Sequence, residues 1–396
     1  MESMTFQHLK LFSIIVMNLV VDMTVFKNEL SKFDHIIFFP SIDWHHSWER
    51  QQTLITAMAE GADANCSIVT PSGIKRYTLW DLSFYLKVYA RVVSFLKKSM
   101  NNTKQNENNN PLPSNTVLIN PVTRYCAFPL LAWVSLILTS DLRRLWCLKG
   151  EVLVVASYVN PLVAFFLDKA SFTIIDIAEY RSGGTFLSAE DLFLEELWIS
   201  KADLFVTDNQ ITLNHYNAFR REHGSANGHY IPQGVDIGAF QIVGVPSNKI
   251  AVYVGNLHDA IDYSFLCDLV KNNPEWVFRV CGEVLCEQAR KFIELNDVEY
   301  VGHVPKELLS EFMSGASIGL IPYLTNEWTS GVFPTKLFEY LAAGLKVYST
   351  GIDEVLAYES SCVDVSGTSK LATSEDVTLP KQCRDKAENH TWAHRF

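Results

Sequence analysis

The chain has 396 residues, 48% hydrophobic and 12% aromatic, which excludes a globally disordered protein and suits two domains. Its net charge of −11 argues against a nucleic-acid binder, which carries a basic footprint. Eight scattered cysteines form no C-x-x-C pair and have no clustered histidines, so neither a zinc site nor a disulfide framework is expected. Reduced thiols of this kind fit the cytoplasm.

Residues 11–26 are apolar but hold Asn18 and Asp22, and the run is shorter than a spanning helix needs. Residues 1–30 are therefore read as an N-terminal extension. Residues 34–40 form an apolar run ending in Pro40, as a buried parallel strand would. A loop and a helix follow, with Leu54, Ile55, Met58 and Ala59 on one face and Gly61 at the end. The next strand begins at Asn65.

Residues 79–98 have helical spacing, with Leu82, Tyr85, Leu86, Tyr89, Val93 and Leu96 on one face. Lys75, Arg76, Lys87, Arg91, Lys97 and Lys98 make this region basic. It reads equally as a helix packed on the sheet or as one lying on anionic lipid. An Asn-rich loop leads to a strand at 116–121, then an apolar helix or hairpin at 125–140. Further strands are expected at 151–157, 172–180 and 202–208, with a helix over 188–200.

After Tyr230–Asp236 the pattern restarts. Strands are expected at 250–257, 276–282, 298–305 and 316–323, with helices over 262–272 and 306–315. A polar loop over 324–333 opens a helix beginning at Pro334 and ending at Gly344, and a last strand follows. Two tandem α/β halves predict two Rossmann-like, doubly wound domains facing a cleft. The proposed boundaries are 31–232 and 233–380, with 381–396 as a closing segment that could return to the first domain.

The segment from Ser330 to Gly344 puts a loop, a helix start, Lys336 and Glu339 in one place. Lys336 and Glu339 are three residues apart, so they share a side of the helix. A lysine and a helix N-terminus suit a diphosphate, and a carboxylate suits ribose hydroxyls. An ordinary solvent pair between Lys336 and Glu339 is the plain alternative.

Pro334, Lys336, Glu339, Tyr340, Ala342, Gly344 and Val347 together resemble the signature of group 1 glycosyltransferases, which have the GT-B fold. Tyr253–Asn256, Val280–Gly282, Tyr300–Val304 and Tyr230–Asp236 resemble further family segments. The resemblance is close over 230–355. It implies a nucleotide-sugar co-substrate, a UDP-sugar by default, and no required metal. By the same resemblance Glu339 binds ribose. Lys336, helped by Ser330 and Gly331, faces the diphosphate or the sugar, the Gly255 loop faces the phosphates, and His303 and Val304 border the base.

One departure stands out. Many members carry a glutamate eight residues before the one at Glu339, and here that position is Gly331. This leans toward the branch resembling xanthan-type glucuronosyltransferases and teichuronic-acid enzymes, which invert.

An inverting transfer needs a general base. Asp176 and Glu179, at a strand end, are candidates slightly ahead of Asp43, with His46 a fourth. Asp43, Trp44, His46 and Arg50 resemble the branch's acceptor stretch, with Trp44, His46 and Arg50 as acceptor-binding residues. A saccharide acceptor at an anionic membrane surface, such as a polyprenyl-linked one, would explain both the basic helix over 79–98 and the apolar 125–140 run, with no nucleic acid involved. The implied location is cytoplasmic, peripheral on the inner face of the cell membrane. A sugar-nucleotide epimerase of the same fold and a non-catalytic binding subunit are the rival readings.

Overall fold

In a computed structural model, which describes residues 23–41, 50–71, 112–121, 129–178 and 189–395, the chain divides into two compact units. The first runs to Asp208 and takes in Thr212–Ile231. The second holds Asn209–Ile211 and Pro232–Phe396. The basic stretch at 79–98 and residues 125–128 of the apolar run lie outside the described residues.

The first unit holds seven parallel strands, β1 (His35–Phe39), β2 (Asn65–Val69), β3 (Thr116–Ile119), β4 (Val152–Ala156), β5 (Phe172–Ile177), β6 (Leu204–Thr207) and β7 (His229–Tyr230). Their order across the sheet is β3-β2-β1-β4-β5-β6-β7. Both faces are covered. Ile36 and Phe38 join one apolar core and Ile37 and Phe39 the other. That is why strands such as β1 and β4 read as nearly continuous apolar runs rather than alternating ones.

Its helices are α1 (Met23–Leu30), α2 (Arg50–Gly61), α3 (Pro129–Leu138), α4 (Ser140–Trp146), α5 (Pro161–Leu167), α6 (Ala189–Lys201) and α7 (Gln210–Glu222, whose first residues count with the second unit). In α2 the expected face is buried at Ile55, Met58 and Ala59. The Asn160 side chain caps α5 by accepting from the Val163 amide, with Pro161 in the first turn. The part of the 125–140 run that is described is helical, not a hairpin.

The second unit repeats the plan with β8 (Ile250–Val254), β9 (Val277–Cys281), β10 (Val298–Tyr300), β11 (Ile318–Ile321), β12 (Lys346–Ser349) and β13 (Val363–Asp364). The sheet order is β10-β9-β8-β11-β12-β13, again all parallel. The last strand expected from sequence, over 345–350, is β12, and it has one further short neighbour, β13.

Its helices are α8 (Tyr263–Asn272), α9 (Glu287–Ile293), α10 (Leu309–Phe312), α11 (Glu327–Ser330), α12 (Lys336–Ala342), α13 (Asp353–Leu356), α14 (Leu379–Glu388) and α15 (Trp392–Arg395). The helix expected over 306–315 is a 3-10 turn, Lys306–Leu308, followed by the single turn α10. The chain end packs on the start of its own unit. Val235 pairs with Thr391, and the Arg395 Nε donates to the Gln233 carbonyl at 3.2 Å.

Every cysteine among the described residues is a free thiol. Among the described residues no helix is long and apolar enough to cross a membrane.

Candidate donor site

In the second sheet the strand order reverses between β8 and β11, so the ends of these strands flank the switch point where such sheets bind ligands. β8 runs into Gly255, whose φ of +126° suits glycine alone. A Cβ there would lie 2.6 Å from Lys336 Cε and 2.9 Å from its Nζ. The bare backbone of Gly255 is thus what lets the lysine lie against the turn.

The glycine turns stack sideways. The Gly255 amide donates to the Cys281 carbonyl at 3.0 Å, and the Gly282 amide to the Gly302 carbonyl at 2.8 Å. A Cβ on Gly282 would sit 2.1 Å from the Gly255 oxygen. The Tyr300 hydroxyl donates to the Gly282 carbonyl at 2.9 Å. The ends of β8, β9 and β10 are thereby drawn together. His303, exposed, and Val304, half-buried against the core, follow at the β10 end.

Lys336 opens α12. Its Nζ donates to the Tyr323 hydroxyl at 3.0 Å and lies 5.5 Å and 5.6 Å from the Tyr323 and Tyr253 ring centroids. Burial works against its charge, but Tyr323, Tyr253 and Glu339 outweigh burial and raise its pKa above the usual lysine value. The group is therefore a fixed cation. No ion pair joins Lys336 to Glu339 among the described residues, so the plain solvent pair is not what forms.

The Glu339 carboxylate is half-buried. Burial raises its pKa, while Lys306 and Lys336 pull it down. Lys306 follows the His303–Val304 segment and was not singled out from sequence. Its charge felt at Glu339 ties that segment electrostatically to the first turn of α12.

Two local expectations need correction. α12 starts at Lys336 with Thr335 as its cap residue, not at Pro334, whose carbonyl accepts from the Leu337 amide at 3.0 Å. The polar loop over 324–333 contains the single-turn helix α11, with Asn326 and Thr329 forming a reciprocal capping box. The amides of Thr329, Ser330 and Gly331 are consumed there, by the Asn326 side chain, the Asn326 carbonyl and the Trp328 carbonyl. Gly331 has an ordinary φ of −93°. Ser330 keeps only its hydroxyl for a ligand. The far end matches expectation. Gly344 has φ +77°, and the Leu345 and Gly344 amides return to the Tyr340 and Leu341 carbonyls, a Schellman closure.

The structure adds residues that the sequence pattern did not flag. Tyr323, at the β11 end, holds Lys336. His258, three residues past Gly255, lies with its ring 6.2 Å from the Tyr323 ring and 6.3 Å from that of Trp328. A polar residue at a strand end beside a glycine turn was the only available signal.

In the first unit, Asp176 and Arg50 are brought together. Arg50 Nε donates to both carboxylate oxygens of Asp176 at 3.1–3.2 Å and a terminal nitrogen donates at 3.1 Å. Another terminal nitrogen donates to the Ile231 carbonyl at 2.7 Å. Both side chains are at most 3% exposed. Arg50 loses to burial but gains more from Asp176 and Asp208, so its pKa is raised. The Asp176 carboxylate is thus buried with Arg50 bonded to both of its oxygens, and Arg50 is engaged by that carboxylate and by the Ile231 carbonyl. Asp43, Trp44, His46 and Glu179 lie outside the described residues. Among the described residues no group of three His, Cys, Asp or Glu side chains could hold a metal ion.

Residues 248–372 match the family described as "Glycosyl transferases group 1". A teichuronic acid biosynthesis glycosyltransferase of Bacillus subtilis (strain 168) is 26% identical over 103 residues, 25% of this chain and 26% of that protein. The alignment thus spans about a quarter of the curated relative. Among solved structures, HepE of Anabaena in complex with UDP has a TM-score of 0.53 at 12% identity, covering 91% of this chain and 93% of that one. Sucrose-phosphate synthase from Thermosynechococcus elongatus has a TM-score of 0.58 at 13% identity, covering 91% and 96%. TarM of S. aureus, solved with UDP among its ligands, has a TM-score of 0.51 at 10% identity, covering 92% and 94%. At these identities the likeness is one of fold. The chain has the GT-B architecture of two Rossmann-like units, and its residues 248–372 match the group 1 glycosyltransferases.

Proposed function

We propose that the protein is a glycosyltransferase that takes a sugar from a nucleoside-diphosphate donor and passes it to a saccharide acceptor. The observation that carries this reading is the seating of the Lys336 ammonium against the bare backbone of Gly255 at the switch point of the second sheet. A cation fixed before the donor arrives stabilises the leaving diphosphate with little reorganisation. Glu339 takes the ribose hydroxyls, and His303 and Val304 border the base. UDP is the leading nucleotide, since HepE and TarM, of like fold, were solved with UDP.

The rest of the reading concerns the acceptor. Gly331 supplies no carboxylate to a retaining site, which favours an inverting hexosyl or glucuronosyl transfer of the xanthan and teichuronic type. With Asp176 tied to Arg50, the base is sought at Asp43, Glu179 or His46. A polyprenyl-linked acceptor in surface polysaccharide synthesis, at the inner face of the cell membrane, fits the apolar α3. There Trp133, Ile137 and Leu138 are exposed. Trp133 packs on Trp146 and Phe165, and Lys169 sits 4.0 Å over the Trp146 ring. Aromatic rings with cations beside them suit a lipid interface.

The test is to supply nucleotide-sugars to the protein with membranes carrying lipid-linked saccharides. The reading predicts nucleoside diphosphate release that depends on those membranes, sugar gained by the lipid fraction, and flotation with anionic vesicles. Epimerised nucleotide-sugar made without acceptor would assign the protein to the epimerases. Absence of turnover from a protein that binds nucleotide would leave a binding subunit.

A further inference from the structure

His258 stands on the turn that follows Gly255. Its Nδ1 accepts the Ala260 amide at 3.2 Å, so in the neutral ring the proton sits on Nε2. Nε2 has no partner among the described residues. The ring is held between Tyr323 and Trp328, and Tyr323 is the residue that receives Lys336. Tyr323 thus links the imidazole and the ammonium.

Charged groups and phenols surround His258 and Lys336. Lys336 is a fixed cation, and Asp259 is the adjoining carboxylate. The Tyr263 hydroxyl donates to the His258 carbonyl at 3.3 Å. The phenols of Tyr323 and Tyr253 complete the surroundings of Lys336. Burial first, and Lys336 second, hold the His258 pKa below the usual histidine value, with Asp259 opposing. In the empty site the ring is therefore neutral near pH 7, an uncharged donor beside a cation.

From this juxtaposition we infer that His258 is a second ligand of the donor's diphosphate and takes up one proton from solvent as the diphosphate binds. This rests on the donor-site reading above. The proton enters on Nδ1 and displaces the Ala260 amide bond, which opposes it; the incoming anion cancels the repulsion from Lys336 and gives Nε2–H an acceptor, and both of these favour imidazolium. Lys336 cannot be the proton acceptor, because it is already charged. Glu339 could be, and a variant at His258 separates the two.

The sign follows from linkage. Between the free and bound pKa values of His258, affinity rises as pH falls, by up to about tenfold per pH unit. The experiment is calorimetric titration with UDP-glucose, GDP-mannose and ADP-glucose, whose diphosphates do not titrate near neutrality. It is run at pH 6.5 in two non-phosphate buffers of different ionisation heat. Wild type is expected to show a heat difference that corresponds to net proton uptake. His258→Gln keeps a neutral donor, and is expected to bind with no such difference and a flatter pH profile. His258→Asn, which can still accept the Ala260 amide, controls for the fold of the turn. Binding with equal heats in both buffers, or uptake unchanged in His258→Gln, overturns the inference while leaving the donor site standing. Failure of all three nucleotide-sugars to bind would remove the donor site and this inference together.

Discussion

Tyr340 shows how one side chain can hold a site open. Its ring lies flat on Gly319, where a Cβ would come within 2.3 Å of it. Its hydroxyl accepts the Val254 amide at 2.9 Å and donates to the Leu320 carbonyl at 3.3 Å, joining β8 to β11 just before Gly255. Burial raises its pKa well above the usual tyrosine value, so it remains a neutral donor. Tyr340→Phe strands a buried amide and is expected to cost about 1–3 kcal/mol in urea unfolding. An unchanged midpoint and slope would deny the bond its role. At this scale the sequence revealed Lys336, Glu339, Gly255 and Gly344, because helix spacing and turn chemistry mark them locally. It did not reveal Tyr323, which receives Lys336, or His258, whose ring lies beside Tyr323 although it stands 65 residues earlier in the chain.

At the scale of elements, strands were the most legible. A parallel strand buried on both faces is largely apolar, as β1, β4, β5 and β6 are, with His35, Thr173, Asp176 and Thr207 their polar members. Helix α11 was hidden because side-chain bonds between Asn326 and Thr329 make it, not apolar periodicity. Helix α14 was hidden because it is mostly polar, with Leu379, Pro380, Cys383 and Ala387 its buried residues.

The pair of Arg50 and Asp176 was also illegible, since α2 and β5 lie far apart in sequence. It ties the first turn of α2 to the end of β5 and to Ile231. Asp176→Ala would leave a buried guanidinium without its partner and should cost about 3–5 kcal/mol, measured by urea unfolding. Replacing both residues with leucine should recover much of that loss. Asp176→Ala with full stability and no activity would instead return Asp176 to the role of base.

Across the whole molecule, the two units repeat one sheet order, three strands laid out one way from the switch point and the rest the other. The sequence announced this through its restart after Asp236. The family resemblance pointed to the Gly255 loop for a donor, and the ligand rule for open sheets agrees with it, since Gly255 ends β8 beside the switch point. Chemistry on the acceptor side stayed less legible, since the residue types that serve a sugar also serve packing.

The measurement that bears most directly on the central claim is thermal unfolding with UDP, GDP, ADP, CMP and their sugars, for wild type, Lys336→Ala and Glu339→Ala. A ligand at about 100 times its dissociation constant should stabilise the folded protein by ~2.7 kcal/mol. A shift with one nucleotide, lost in both variants although they remain folded, is the predicted result. No shift with any nucleotide from well-folded wild type, or a shift that survives in both variants, would contradict a donor site built on Lys336 and Glu339.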